Sequence, residues 1–195
     1  MRDQLRTVLI VTEGLTEKKY LDHLRKRNAG YVVHEIESPR KSAADVFKHC
    51  CKEVSNRGLN LKDFDVAYCV IDVDFNSKEK ILKILESAAK KRIRIVISNP
   101  CYEVFYICHF KKDPPVFSTP KEAKEFLREL IPDYSESVDY WDRLSEGRED
   151  AIQRTDRPVK DVPLTLGLAS CSNVGRLFTE MESLEETIRG NDAIR

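Results

Sequence analysis

Val66-Ala67-Tyr68-Cys69-Val70-Ile71-Asp72-Val73-Asp74 is apolar and rich in β-branched side chains until it ends in an acidic pair. Near-continuous hydrophobicity over so short a run predicts a strand buried on both faces, as at the centre of a parallel sheet. Asp72 is an expensive residue at the foot of such a strand, because a carboxylate is almost never fully buried without a partner. Residues two apart on a strand point to one side, so Asp72 and Asp74 converge if the extended backbone persists that far.

Working outward, the flanking segments alternate strand with helix. Thr7 to Thr12 is a compact apolar run that stops at Glu13 and Gly14. Thr16 is placed to cap a helix carrying Tyr20, Leu21 and Leu24 on one face. Tyr31 to Glu37 alternates apolar and polar residues and predicts an edge strand, and Ser42 starts a helix with Ala43, Phe47, Cys50, Cys51 and Val54 inward, stopped near Gly58. After Asp74, Ser77 to Lys91 predicts a helix with Ile81, Leu82, Ile84, Leu85, Ala88 and Ala89 on a broad apolar face. Ile93 to Ile97 is a fourth strand. Asn99 and Pro100 then read as cap and first residue of a helix running through Cys108.

Strand and helix in alternation predict an α/β fold, a parallel four-stranded sheet flanked by helices with right-handed crossovers. Beyond Phe110 the character changes. Lys111 to Pro120 is a proline-bearing loop, Lys121 to Leu130 a short helix, Asp133 to Ile152 a polar and helical stretch, and Arg154 to Leu168 irregular. Ser172 or Asn173 caps a last helix using Val174, Leu177, Phe178, Met181 and Leu184. These features divide the chain into an α/β domain over 1–112 and a mainly helical C-terminal extension over 113–195 packed on it. The apolar stripe of the last helix needs a cover, either the sheet domain or a second subunit, so a homo-oligomer is compatible with the pattern.

In an open sheet of order 2-1-3-4, functional groups gather at the carboxyl ends of the strands, where the order reverses between strands one and three. Glu13 ends strand one, Asp72 and Asp74 end strand three, and Glu103 stands in the first turn of the helix after strand four. Each has a plain alternative: Glu103 complements a helix dipole, and the aspartates serve as turn residues. Together, though, four carboxylates at one edge of a sheet repel unless a cation lies among them. Hard oxygen ligands with room for water suit Mg²⁺ or Mn²⁺. Such a site is able to polarise a phosphodiester and lower the pKa of a bound water. Glu13, Asp72 and Asp74 are the expected metal ligands, Glu13 doubling as a candidate acid/base, with Glu103 completing or orienting the shell.

Composition bounds the rest. The 195 residues hold 33 Lys and Arg against 33 Asp and Glu, so no global field draws the chain to a polyanion. Contact with one must come from local groups such as Arg25-Lys26-Arg27, Lys90-Lys91-Arg92 with Arg94, or Lys111-Lys112. No apolar run spans a bilayer and the N-terminus has no signal-peptide core, which points to a cytoplasmic protein without a membrane segment. The six cysteines have no C-x-x-C spacing and read as reduced core residues. A receiver domain would need an acidic pair after strand one and a lysine after the last strand, and a haloacid-dehalogenase-type phosphatase its D-x-D after strand one. P-loop, dinucleotide and G-x-S-x-G signatures are absent.

Glu13-Gly14 after one strand and Asp72-Val73-Asp74 after another resemble the TOPRIM domain of topoisomerases, primases and OLD-type nucleases. Val11-Thr12-Glu13-Gly14, Thr16-Glu17 and above all Ser98-Asn99-Pro100-Cys101-Tyr102-Glu103-Val104-Phe105, closing on His109-Phe110, resemble the RloB-like proteins of prokaryotic defence islands. The resemblance covers about Thr7 to Phe110 in sequence and the tail in layout only. Two departures stand out: the turn from Gly14 to Thr16-Glu17 is about one residue short, and Phe75-Asn76 replaces expected acidic or histidine residues. The resemblance implies a TOPRIM-like (Rossmann-like) fold and a Mg²⁺-dependent endonuclease acting on DNA or RNA, with tRNA one option. It further implies an antiviral, abortive-infection effector partnered by an AAA or ABC-type ATPase encoded nearby. A catalytically silent TOPRIM-like module that docks such an ATPase is the alternative.

Overall fold

The computed structural model describes residues 5–26, 30–74, 76–165 and 168–192. Phe75 and Arg27, both weighed above, lie outside the described residues.

Strands β1 (Arg6–Thr12), β2 (Tyr31–Glu37), β3 (Val66–Asp72) and β4 (Arg94–Asn99) form a parallel sheet in the order β2-β1-β3-β4. A two-residue strand β5 (Cys171–Ser172) adds to β4 antiparallel, making five strands rather than the expected four. So short a segment carries no periodicity, and its pairing is a tertiary event. Asn173 continues it by other means: its Oδ1 accepts from the Ile97 N–H at 2.6 Å and its Nδ2 donates to the Ile95 carbonyl at 3.4 Å. A side-chain amide thus satisfies backbone groups that β5 is too short to reach.

The strand pleat sorts the core into two layers. Val8, Ile10, Val66, Tyr68, Val70 and Val96 face a cluster with α1 (Leu15–Asp22), α4 (Glu103–Ile107), α5 (Pro120–Leu130), α6 (Arg148–Thr155) and α7 (Val174–Asp192). Their neighbours Leu9, Val11, Ala67, Cys69, Ile71, Ile95 and Ile97 face α2 (Ala43–Asn56), α3 (Lys78–Lys91) and a 3₁₀ segment over Val159–Thr165. Each fully buried aliphatic contributes about 1.5–3 kcal/mol relative to exposure, which is why the buried part of β1, Val8–Val11, is wholly aliphatic and β3 carries no charged residue before Asp72. The stripe of Leu177, Phe178 and Met181 is buried in the first layer, against the sheet domain of the same chain. Residues on both sides of position 112 therefore share one core.

Several local expectations need correction. Thr16 does not cap α1, which begins at Leu15 with Gly14 in the cap position and no side-chain cap bond. Asn99 ends β4 instead of capping a helix, its Nδ2 donates to the Ala169 carbonyl, and the Asn99–Pro100 peptide is cis. Helix α4 consequently starts only at Glu103. The stretch from 133 to 147 is a series of turns, and helix is confined to Arg148–Thr155. Tyr134, Tyr140 and Leu144 of this stretch are nonetheless buried in the first core layer. Leu82 on α3 is 38% exposed, so that helix buries a narrower face of Ile81, Ile84 and Ala88. Other signals hold: Ser42 caps α2 through the Asp45 N–H, Ser77 caps α3 through Lys80, and Gly58 follows α2 at φ +61°.

Candidate acidic site at the carboxyl edge of the sheet

The parallel register sets Val11 opposite Cys69, which carries Glu13 to the level of Ile71 and Asp72. Glu13 Oε2 accepts from the Asp72 N–H at 3.3 Å, tying the ends of β1 and β3 together. Asp74 arrives differently from the expected extended D-x-D. The strand stops at Asp72, Asp74 adopts φ +46°, and its N–H donates to the Pro100 carbonyl at 2.9 Å. Aspartate tolerates this left-handed conformation better than most residues. The turn brings the Asp74 carboxyl against that of Glu13, close enough to share a proton.

Glu103 is 3% exposed, and two of its side-chain partners come from beyond residue 112. Tyr134 donates its hydroxyl to Glu103 Oε1 at 2.7 Å, and Lys124 Nζ lies 3.6 Å from the same oxygen. Lys124 also pairs with Glu136 at 2.6 Å. Glu13, Asp72, Asp74 and Glu103 line one pocket of about 270 Å³.

Three further charged side chains line that pocket and were not foreseen as site residues: Glu17, Lys41 and Lys124. Glu17 is buried in the first turn of α1. A signal for it existed, since Glu17 lies three and four residues before Tyr20 and Leu21 and so shares their inward face. Gly14 leaves room for it; a Cβ there would lie 2.9 Å from Glu17 Oε2. Lys41 Nζ donates to the Glu13 carbonyl at 2.6 Å and to Glu37 at 2.5 Å. Lys124 sits on an amphipathic helix remote in sequence from every strand end, where nothing in the chain marks it as a site residue.

Burial and mutual repulsion dominate the electrostatics. Burial pushes the Glu13 carboxyl up to about 7, with repulsion from Asp74 adding to it and the Asp72 N–H and Lys41 opposing. Glu17 rises to about 8, again chiefly by burial, then by the charges of Glu103 and Glu13. Asp72 is held well above the ordinary carboxylate range by burial and by Glu17, Glu13, Glu103 and Asp74 in turn. Asp74 is raised by burial, and Lys124 pulls against the shift. Burial opposes charge on Lys124, but Glu103 and Glu136 more than compensate and keep it protonated. Asp72 Oδ1 is buried with no hydrogen-bond partner. An orphaned carboxylate oxygen among like charges is a costly arrangement that a bound cation would relieve. Among the described residues, however, no three His, Cys, Asp or Glu side chains are placed to ligate one ion as they stand.

The neighbouring motif residue His109 is structural. Its Nδ1 bonds the Phe105 carbonyl at 3.0 Å, leaving Nε2 to accept from the Tyr20 hydroxyl at 2.9 Å, and burial lowers its pKa to about 4. All six cysteines are free, and Cys101 and Cys108 are buried in the core, as packing residues would be.

A mostly parallel α/β sheet with buried carboxylates at its carboxyl edge defines the class of this protein. Residues 8–181 match the family model described as RloB-like protein, and the chain belongs to that family. No curated protein and no solved structure shows significant similarity to it. Among the described residues no helix is long and apolar enough to cross a membrane.

Proposed function

We propose that the chain is a Mg²⁺- or Mn²⁺-dependent phosphodiesterase of TOPRIM-like architecture that cleaves nucleic acid. The observation that carries this reading is Asp72 Oδ1, buried and unpartnered at the end of β3 in a pocket shared with Glu13, Glu17, Asp74 and Glu103. That donor set is all oxygen, which fits a hard divalent ion. Asp72, Asp74 and Glu13 would hold it, and when bound it would supply Lewis-acid polarisation of a phosphodiester. Glu13, whose carboxyl titrates near neutrality, is suited to hold or release a proton at the site. Tyr134 and Lys124 fix the orientation of Glu103, which faces the same pocket. Membership of the RloB-like family supports a role as effector of an antiviral, abortive-infection system, activated by an AAA or ABC-type ATPase encoded nearby. DNA and RNA, including tRNA, are the substrates to try. The test is to incubate the protein with DNA, tRNA and Mn²⁺, with and without that ATPase; metal-dependent cleavage that Asp72→Asn abolishes is expected.

A second reading has its own observation. The side chains of Glu13 and Asp74 already face each other, Glu103 is paired, and among the described residues no three ligands converge. This is what a catalytically silent module docking a partner ATPase would show. Absence of any effect of Mg²⁺ or Mn²⁺ on thermal stability, together with no cleavage, would favour it.

A further inference from the structure

Glu13, Glu17, Asp72, Asp74 and Glu103 line the acidic pocket, and Asp72 Oδ1 is buried among them without a hydrogen-bond partner. Among the described residues a single cationic side chain comes within 4 Å of any of these five carboxylates: Lys124, whose Nζ stands 3.6 Å from Glu103 Oε1. Lys41, the other cation of the pocket wall, is committed to the Glu13 backbone carbonyl and to Glu37. The influence of Lys124 also extends past Glu103, since it is the strongest force holding the Asp74 carboxyl down against burial. Part of the charge in the pocket is thus already met by a cation that the chain itself carries.

Lys124 has a second partner toward solvent. Its Nζ lies 2.6 Å from Oε1 of Glu136, a side chain that is 59% exposed, whereas Glu103 is buried. The ammonium therefore stands between an inner and an outer carboxylate, and nearer the outer one. A lysine stem is flexible, so rotation of the side chain alone carries the charge from one to the other with α5 in place. Glu103 would keep the Tyr134 hydroxyl at 2.7 Å throughout. This arrangement accords with the absence, among the described residues, of three carboxylates converging on one point: Glu103 is turned to Lys124 and Tyr134, and Asp74 to Glu13.

We infer that Lys124 is a tethered counter-ion of the metal-free acidic pocket, and that it gives up Glu103 for Glu136 alone when a divalent cation enters. The inference rests on the reading of the pocket as a divalent-metal site. Like charges this close raise each other's energy, so the ammonium competes with the incoming ion for the same carboxylates. One unit charge within about 4–6 Å moves a carboxyl pKa by about 1–3 units, and the lower end suits a side chain partly open to water. Removing the ammonium should therefore tighten a competing cation about 10-fold.

The test is Mn²⁺ binding to the full chain at pH 8, read from the electron paramagnetic resonance of the free ion, with no nucleic acid present. Lys124→Gln should lower the Kd about 10-fold, and Lys124→Met, which keeps the apolar stem, should do the same. Lys121→Gln removes the same charge from an exposed position on the same helix and should leave the Kd within about 2-fold. Glu136→Gln takes away the outer partner and should raise the Kd about 2- to 5-fold, the worth of an exposed ion pair. In the Lys124→Gln background that second substitution should have no effect, because Glu136 acts through Lys124. Wild-type binding that Lys124→Gln and Lys124→Met leave unchanged or weaken would overturn the counter-ion and leave the metal reading standing. An effect of Glu136→Gln that is the same with and without Lys124 would overturn the exchange. Failure of the wild type and both Lys124 variants to bind Mn²⁺ would overturn the metal reading and the inference with it.

Discussion

Replacing Asp72 by Asn in the metal-free protein should make it more stable at pH 8 and leave it nearly unchanged at pH 5. Glu13 moves from an ordinary 4.5 to about 7 on folding, so its ionisation in the folded state costs about 3 kcal/mol, and Asp72 is one neighbour in that acidic cluster. The sign follows from proton binding. A carboxyl with a raised folded-state pKa binds more protons folded than unfolded, so stability declines as pH rises from about 4 toward about 7 to 8. The substitution removes one charge from the cluster, and the amide it introduces can donate where Asp72 Oδ1 now finds no partner. The gain at pH 8 should be about 1–3 kcal/mol, the usual cost of a buried polar group left without a partner, which for a chain of this length is about 2–12 °C in Tm. At pH 5, below the values of about 7 and 8 to which Glu13 and Glu17 are raised, both of these neighbours are protonated, and the variant should match the wild type within about 0.5 kcal/mol. Urea midpoints and thermal melts in EDTA at both pH values measure this. If Asp72→Asn lowers stability at pH 8, the aspartate is holding the fold through hydrogen bonds and the strained-cluster account is wrong.

Adding Mg²⁺ to about 100 times its Kd should stabilise the wild type by about 2.7 kcal/mol, or about 5–11 °C, and Asp72→Asn should lose that rise; a rise that persists in the variant removes Asp72 from the ligand set. Tyr134→Phe deletes a hydroxyl donor to a buried carboxylate and should cost about 1.5–3 kcal/mol in chemical denaturation at neutral pH. A cost below about 0.5 kcal/mol would mean that Lys124 alone satisfies Glu103. Two glycines of α7 should respond with opposite signs. A Cβ at Gly175 would meet the Ile152 carbonyl at 2.0 Å, forcing α6 and α7 apart at about 1–3 kcal/mol or more, whereas Gly190 has open space and Gly190→Ala should stabilise by about 0.4–1 kcal/mol.

The parallel strands of the sheet were readable from sequence because a doubly buried strand leaves an unbroken apolar run, and β1 and β3 have one. Their order and the level of Glu13, Asp72 and Glu103 follow from the alternation of strand and helix. Short-range signals that depend on one hydrogen bond were readable where the bond is local, as at Ser42 and Ser77. They failed where a distant partner outbid the local one. Asn99 looks like a helix cap, yet its amide reaches the Ala169 carbonyl; of the two candidates before α7, Asn173 spends its side chain on β4 while the Ser172 hydroxyl accepts from the Val174 N–H at 3.2 Å. Glu17 was within reach of helical periodicity, while Lys124, Tyr134 and the two-residue β5 depend on chain folding back over many residues.

That folding-back determines what the site is. The carboxylates belong to the first 110 residues, but Glu103 is held in place by Tyr134 and Lys124, and Pro120, Lys124 and Glu136 line the same pocket. Lys41, the cation that the sheet domain contributes to the pocket wall, is committed to the Glu13 carbonyl and to Glu37. An isolated stretch over 1–112 would therefore keep the acidic strand ends and lose the groups that position Glu103 and partly offset the charge beside Asp74. The same stretch would also expose Val8, Ile10, Val70 and Phe105, which now pack in one cluster with Leu177, Phe178 and Met181. Fold and site thus depend on the same contacts, and the helical half of the chain is as much a part of the acidic site as the strands that end in it.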